Sequence, residues 1–268
     1  MRKLYTVILL ALLAACAGEP KQVETAEAVD STFVEETKTE EQMVQEFDYP
    51  VDSNYGAVLV MVNTMIYPDD YNAMDKEHVF ALFKGADGFY LDKVTTKGEV
   101  MNQEDSNDEY IKLVTEHKDS CIFFISGVNY LTKRKVDFVE IADGTMPVGR
   151  TLELSLKNGY KQKLVANGTF RDGNETDNFN NMTSYRLMLF GEKNNAEIAD
   201  MLVAHDSFDD AAITILFAGD IDGDGLMDYL IETARKYGNS SPALYLSKPA
   251  ASDNLIKIID VAGSAGGC

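Results

Sequence analysis

Apolar residues in this chain return at every second position in one stretch after another, and Asn, Asp and Gly break the runs. In Thr151-Leu152-Glu153-Leu154-Ser155-Leu156-Lys157 the three leucines share one face of an extended strand, and Asn158-Gly159 follows. An Asn-Gly pair tolerates the positive φ angles of a tight hairpin turn, so Tyr160 to Val165 is expected to return as the partner strand. The same reading pairs His78–Phe83 with Phe89–Val94 across Gly85-Ala86-Asp87-Gly88. It also pairs Ser184–Gly191 with Ala196–Val203 across Lys193-Asn194-Asn195. Arg171 to Asn181 reads as a long acidic turn, and the continuous apolar run Cys121–Ser126 as a strand buried on both faces. The one helix expected after Pro50 covers Asp105–Thr115, with Tyr110, Ile111 and Val114 at near-helical spacing. The fold class is therefore mainly β, with antiparallel hairpins forming a sandwich, a barrel or a small propeller-like meander.

Such a fold needs a core, and 45% hydrophobic residues with 10% aromatics supply one. The charge excludes one class of partner. Lys and Arg number 24 against 44 Asp and Glu, a formal net charge of −20, and a nucleic-acid backbone would be repelled rather than held by counterion release. The acids are unevenly spread. Residues 17–50 carry acids such as Glu19, Glu35, Glu36, Glu40 and Glu41 against only Lys21 and Lys38, with few large apolar side chains. A segment of that composition cannot offset its ordering entropy by burial and is expected to be a disordered, self-repelling tether. A helix over Thr32–Phe47, carrying Phe33, Val34, Met43, Val44 and Phe47 on a weak stripe, is the other reading.

Ahead of the tether, Met1-Arg2-Lys3 is a short positive region, and Leu4 to Leu13 is an apolar run too short to span a bilayer as a helix. Leu13-Ala14-Ala15-Cys16 follows, and the whole resembles a bacterial lipoprotein signal with its lipobox. The resemblance implies a signal peptide over 1–15 and acyl chains on Cys16, which would hold the protein to a membrane without a spanning helix. Ala17 rather than Asp after the cysteine implies, by the same resemblance, the outer membrane of the cell envelope. The organisation expected is signal 1–15, lipidated cysteine and acidic linker 16–50, and a β-rich domain over 51–268.

One motif carries chemistry. The strand Ile213–Gly219 runs into Asp220-Ile221-Asp222-Gly223-Asp224-Gly225-Leu226-Met227-Asp228, and Tyr229-Leu230-Ile231 reads as the next strand. Alternate residues of a tightly wrapped loop point inward, so Asp220, Asp222 and Asp224 converge. Gly225 permits the bend that turns the Leu226 carbonyl toward the same point, and Asp228 supplies a further oxygen. Without a cation, each close carboxylate pair costs roughly 1 to 4 kcal/mol. An EF-hand would need Glu at the twelfth position, where Ile231 stands. The pattern resembles the calcium loop of FG-GAP and VCBS-type repeats, Asp-x-(Asp/Asn)-x-Asp-Gly-x-x-Asp between two strands. That resemblance implies Ca²⁺ held by Asp220, Asp222, Asp224 and Asp228 with the carbonyl of Leu226. Asp172–Asp177 lacks the spacing and reads as a solvated turn. The stretch Ala218–Tyr237 with Ala243–Ser247 is also similar to the C-terminal region of bacterial lipoproteins that carry one such loop.

The remaining reactive groups are few. Cys121 and Cys268 either pair as a disulfide in an oxidising compartment or leave Cys121 as a buried thiol. His78, His117 and His205 are the whole imidazole inventory. His205 and Asp206, adjacent on a strand, face opposite sides, and Asp69-Asp70 and Asp209-Asp210 read as solvated acids. Two functions follow: a membrane-anchored calcium-binding envelope module with a structural or binding role, or a calcium-dependent hydrolase of envelope or extracellular glycan or peptide.

Overall fold

The computed structural model describes residues 48–50, 55–102 and 109–263. The signal peptide, Cys16, the Thr32–Phe47 segment and Cys268 lie outside the described residues.

In chain order the first half holds β1 (Asp48–Tyr49), β2 (Val58–Met61), β3 (Met65–Ile66), the short helix α1 (Pro68–Ala73), β4 (Val79–Gly85), β5 (Gly88–Lys93), β6 (Lys97–Asn102), β7 (Glu109–Val114), β8 (Ser120–Ser126) and β9 (Arg134–Lys135). The second half holds β10 (Thr151–Ser155), β11 (Lys161–Phe170), β12 (Met182–Lys193), β13 (Ala196–Ser207), β14 (Thr214–Gly219), β15 (Asp228–Glu232), β16 (Pro242–Leu246) and β17 (Lys257–Val261). The protein is mainly β, as the alternation requires. Every strand pair is antiparallel.

These strands form four sheets, none closed into a barrel. The sheet β1-β13-β12-β11-β10 and the C-terminal sheet β14-β15-β16-β17 are hairpin meanders. The N-terminal sheet runs β2-β8-β4-β5-β9, and a small sheet runs β3-β7-β6. Three buried clusters join them as layers. Leu164, Leu187 and Val203 of the long meander pack with Tyr229, Ile231 and Tyr245 of the C-terminal sheet. The opposite face of that sheet, through Leu230, Leu244 and Ile259, packs on Leu82, Leu91 and Phe123 of the N-terminal sheet. Phe83 and Phe124 on the far face of the latter meet Ile66 and Leu113 of the small sheet. Because the C-terminal sheet is an inner layer, β16 is buried at every position. At roughly 25 cal/mol per Å² of apolar area, this two-sided burial stabilises its residues more than a one-sided strand would gain.

The three hairpins form where the alternation places them. Leu154 and Leu156 reach the core and Leu152 is partly buried against it. The turn chemistry differs from the expectation in one respect. At Asn158-Gly159 only Gly159 has positive φ, and the Asn158 side chain instead accepts from the Tyr160 N–H at 2.8 Å. Both positive φ angles of a two-residue turn occur at Asn194 (56°) and Asn195 (62°), between the paired Lys193 and Ala196.

The helix expected over Asp105–Thr115 is overturned in its described part. Residues 109–114 form β7, paired with β3 on one side and β6 on the other. Ile111 and Leu113 lie two positions apart and both face the small sheet's core. Pairing on both edges outweighs the weak helical spacing, even though the two buried residues, Tyr110 and Leu113, are three apart. β8 sits between β2 and β4 with Phe123, Phe124 and Ile125 all buried, as its apolar run implies. The folded part also takes in Asp48–Tyr49, which pairs with His205 and Ala204 at the free edge of β13.

Candidate metal centre

The connection between β14 and β15 is the acidic loop. It leaves β14 at Gly219, where the Asp220 N–H donates to the Asp137 carbonyl at 2.8 Å. Gly219 must be glycine here, since a Cβ at that position would stand 2.5 Å from the same Asp137 oxygen. Gly223 and Gly225 both take φ of 86°, the left-handed conformation that lets the loop wrap within nine residues.

Carboxylate oxygens of Asp220, Asp222 and Asp224 lie within 4.8 Å of one another. Asp220 accepts from the Gly223 N–H (2.7 Å) on one oxygen and from the Gly225 N–H (3.3 Å) on the other. Asp224 is exposed and accepts from the Leu226 N–H at 2.8 Å, and it shares the single Ser247 hydroxyl proton, at 2.9 Å, with Asp228. Asp222 is only 3% exposed. Its Oδ2 accepts from the Lys248 N–H at 2.9 Å, while its Oδ1 is buried with no hydrogen-bond partner. Burial pushes the Asp222 carboxyl up to about 6, and the charges of Asp224 and Asp220 act in the same direction.

Asp228 belongs to the loop in a different way. It is fully buried, and its two oxygens accept four hydrogen bonds. Ile221 N–H (2.6 Å) and Asp222 N–H (3.0 Å) reach Oδ2, and Ser247 N–H (2.7 Å) and Ser247 Oγ–H (2.9 Å) reach Oδ1. Four donors match the four lone-pair positions of a carboxylate. Burial and the neighbouring Asp222 charge raise its carboxyl, while the donors from Ser247 and Asp222 oppose that shift. The structure thus brings three of the acids singled out by the sequence onto one point and uses the fourth to bind the loop to the turn after β16.

Residues far away in sequence complete the surroundings. Asn158 of the β10–β11 turn donates to the Gly225 carbonyl at 2.7 Å. Arg134 of β9 donates from Nη2 to Asp220 Oδ2 at 3.1 Å, and its guanidinium covers Gly223 so closely that a Cβ there would fall 1.3 Å from Nη1. Ser247 stands in the stretch quoted for its resemblance, but nothing local in the sequence marks it, Lys248 or Arg134 as partners of the loop. The signal that exists is the clustering of acids, which demands donors from somewhere.

The other sequence candidates are placed apart from this centre. His205 is 3% exposed, and its Nε2 is 2.8 Å from the Thr233 carbonyl. Asp206 turns to the other side of β13, 3.6 Å from Arg186. Asp69 and Asp70 stand exposed in the first turn of α1, and Asp209 and Asp210 are exposed beyond β13. Asp172 and Glu175 are exposed in the β11–β12 loop. Cys121 is half-buried, and its thiol donates to the Phe123 carbonyl at 3.5 Å. No protein-family model, curated protein or solved structure matches the chain.

Proposed function

We propose that this protein is a calcium-binding module of the cell envelope, held to a membrane through acyl chains on Cys16, in which one Ca²⁺ fixes the turn between β14 and β15. The observation that carries the reading is the Asp222 Oδ1, a buried carboxylate oxygen with no protein donor in a cluster of three acids. Leaving such an oxygen desolvated and unmade costs on the order of 1 to 3 kcal/mol. A hard cation would satisfy it and turn the repulsion among Asp220, Asp222 and Asp224 into shared coordination. All the donors on offer are oxygens, the set suited to calcium, and Leu226 lies where the loop pattern calls for a carbonyl. Asp228, the remaining acid of that pattern, serves the ion by holding the Ile221–Asp222 backbone in place. A structural or binding role fits better than hydrolysis, because His205 is committed to the core and the acids are committed to the loop.

Thermal unfolding in Ca²⁺ and in chelator tests the ion. A ligand bound only by the native state adds about 2.7 kcal/mol at one hundred times its dissociation constant. Wild type is expected to melt higher in Ca²⁺, and Asp222→Ala and Asp224→Ala to lose that increment. Melting that ignores Ca²⁺ in all three proteins refutes the site. Replacing Cys16 with Ser is expected to move the protein from the membrane fraction to the soluble one, and unchanged fractionation would refute the anchor.

A further inference from the structure

Resting on the reading of the Asp220–Asp228 loop as a cation site, we propose that Arg134 sets the affinity of that site, acting as a built-in cation that opposes the bound ion. The guanidinium is 3.1 Å from Asp220 Oδ2, and the pair is partly withdrawn from water, with side-chain exposures of 27% and 9%. It is also held in place. It lies against Gly223, and Arg134 is anchored through the pairing of β9 with β5 at Leu91. Asp220 therefore answers to two cations, one from the N-terminal sheet and one from solution.

Two like charges on one carboxylate oppose each other. Even in a water-like dielectric, a fixed positive charge next to a divalent ion weakens its binding on the order of tenfold, about 1.4 kcal/mol. Three carboxylates and one guanidinium leave the cluster with two net negative charges rather than three, and calcium affinity follows ligand charge. Arg134 thereby tunes the loop toward the weak binding suited to a calcium-rich exterior. Linkage is reciprocal: whatever Arg134 costs the ion, the ion costs the hold of Asp220 on Arg134.

The test is calorimetric titration of CaCl₂ into the full chain in detergent, as wild type, Arg134→Gln and Arg134→Lys. The expected result is about tenfold tighter binding by Arg134→Gln and binding within about threefold of wild type by Arg134→Lys. A purely supporting role would weaken binding in both variants, so unchanged or weaker binding by Arg134→Gln overturns the proposal while leaving the ion site standing. If neither wild type nor Arg134→Gln binds Ca²⁺, the site falls and the role of Arg134 with it. A second measurement needs no variant. Phenylglyoxal modification of wild type, mapped by peptide mass, is expected to label Arg134 several-fold faster in Ca²⁺ than in chelator. The exposed Arg171 serves as the internal reference. An unchanged or slower rate at Arg134 overturns the proposal.

Discussion

Replacing Asp228 with Asn keeps the shape of a fully buried side chain and removes half of its acceptor capacity. Turned one way, its NH₂ faces the Ile221 and Asp222 N–H groups; turned the other, it faces the Ser247 N–H and the Ser247 hydroxyl, which can accept from it while donating to Asp224, so the second orientation is favoured. One hydrogen bond to a charged acceptor is then lost, that from the Ser247 N–H, and it is worth about 1.5 to 3 kcal/mol. The expected destabilisation in Ca²⁺ is therefore about 1.5 to 3 kcal/mol, a sizeable share of a typical domain stability of about 5 to 15 kcal/mol. Chelator should shrink the deficit, because Asn also removes the Asp228 charge beside Asp222, and relief of one close carboxylate pair returns about 1 to 4 kcal/mol. Urea unfolding followed by far-UV circular dichroism and tyrosine fluorescence suits a chain with 13 Tyr and no Trp. A variant within 1 kcal/mol of wild type in Ca²⁺ would refute the claim that these four bonds hold the loop to the turn after β16. So would a deficit that grows in chelator.

Gly219→Ala places a methyl group 2.5 Å from the Asp137 carbonyl and 2.9 Å from the Phe217 ring. It is expected to cost about 1 to 3 kcal/mol and to lessen the stabilisation by Ca²⁺, both read in the same melts; a neutral substitution would contradict the close approach at the start of the loop. Burial raises the Cys121 thiol to about 12. In the unfolded chain a thiol ionises near 8.5, so this group's contribution to stability is present below about that pH and declines as pH rises from there toward 12. Native Cys121 should accordingly react slowly with iodoacetamide at pH 8 and rapidly once the protein is unfolded in urea. Equal rates would count against its burial.

The strands were legible because their signals are local. Leucines alternating through Thr151–Lys157 and the paired Asn194-Asn195 need only a few neighbours to act. The acidic loop was legible for the same reason, since nine consecutive residues carry all its carboxylates and glycines. What escaped was set by long-range contact. Tyr110–Val114 has a spacing compatible with two periods, and only the flanking β3 and β6 decide for the strand. The order of the layers depends on which apolar face meets which, and Leu230 and Tyr229 differ only in the sheet each one faces. Around the loop, Arg134 is 86 positions from Asp220 and Asn158 is 67 from Gly225. No periodicity reports such a partner, and two of the four hydrogen bonds accepted by Asp228 follow from where Ser247 comes to rest.

The inner position of the C-terminal sheet has a consequence for how the chain is made. Synthesis runs from the N-terminus, so the strands of the N-terminal sheet and of the long meander emerge before β14 to β17 exist. Leu82, Leu91 and Phe123 on one side, and Leu164, Leu187 and Val203 on the other, lack the part of their cores supplied by residues 214–261 until those arrive between them. Two apolar faces must wait, and a nascent chain in that condition is a client for whatever holds unfolded proteins apart. Strands β14 to β17 close two cores at once, so a chain stopped after Ala212 should aggregate rather than persist as a smaller folded protein.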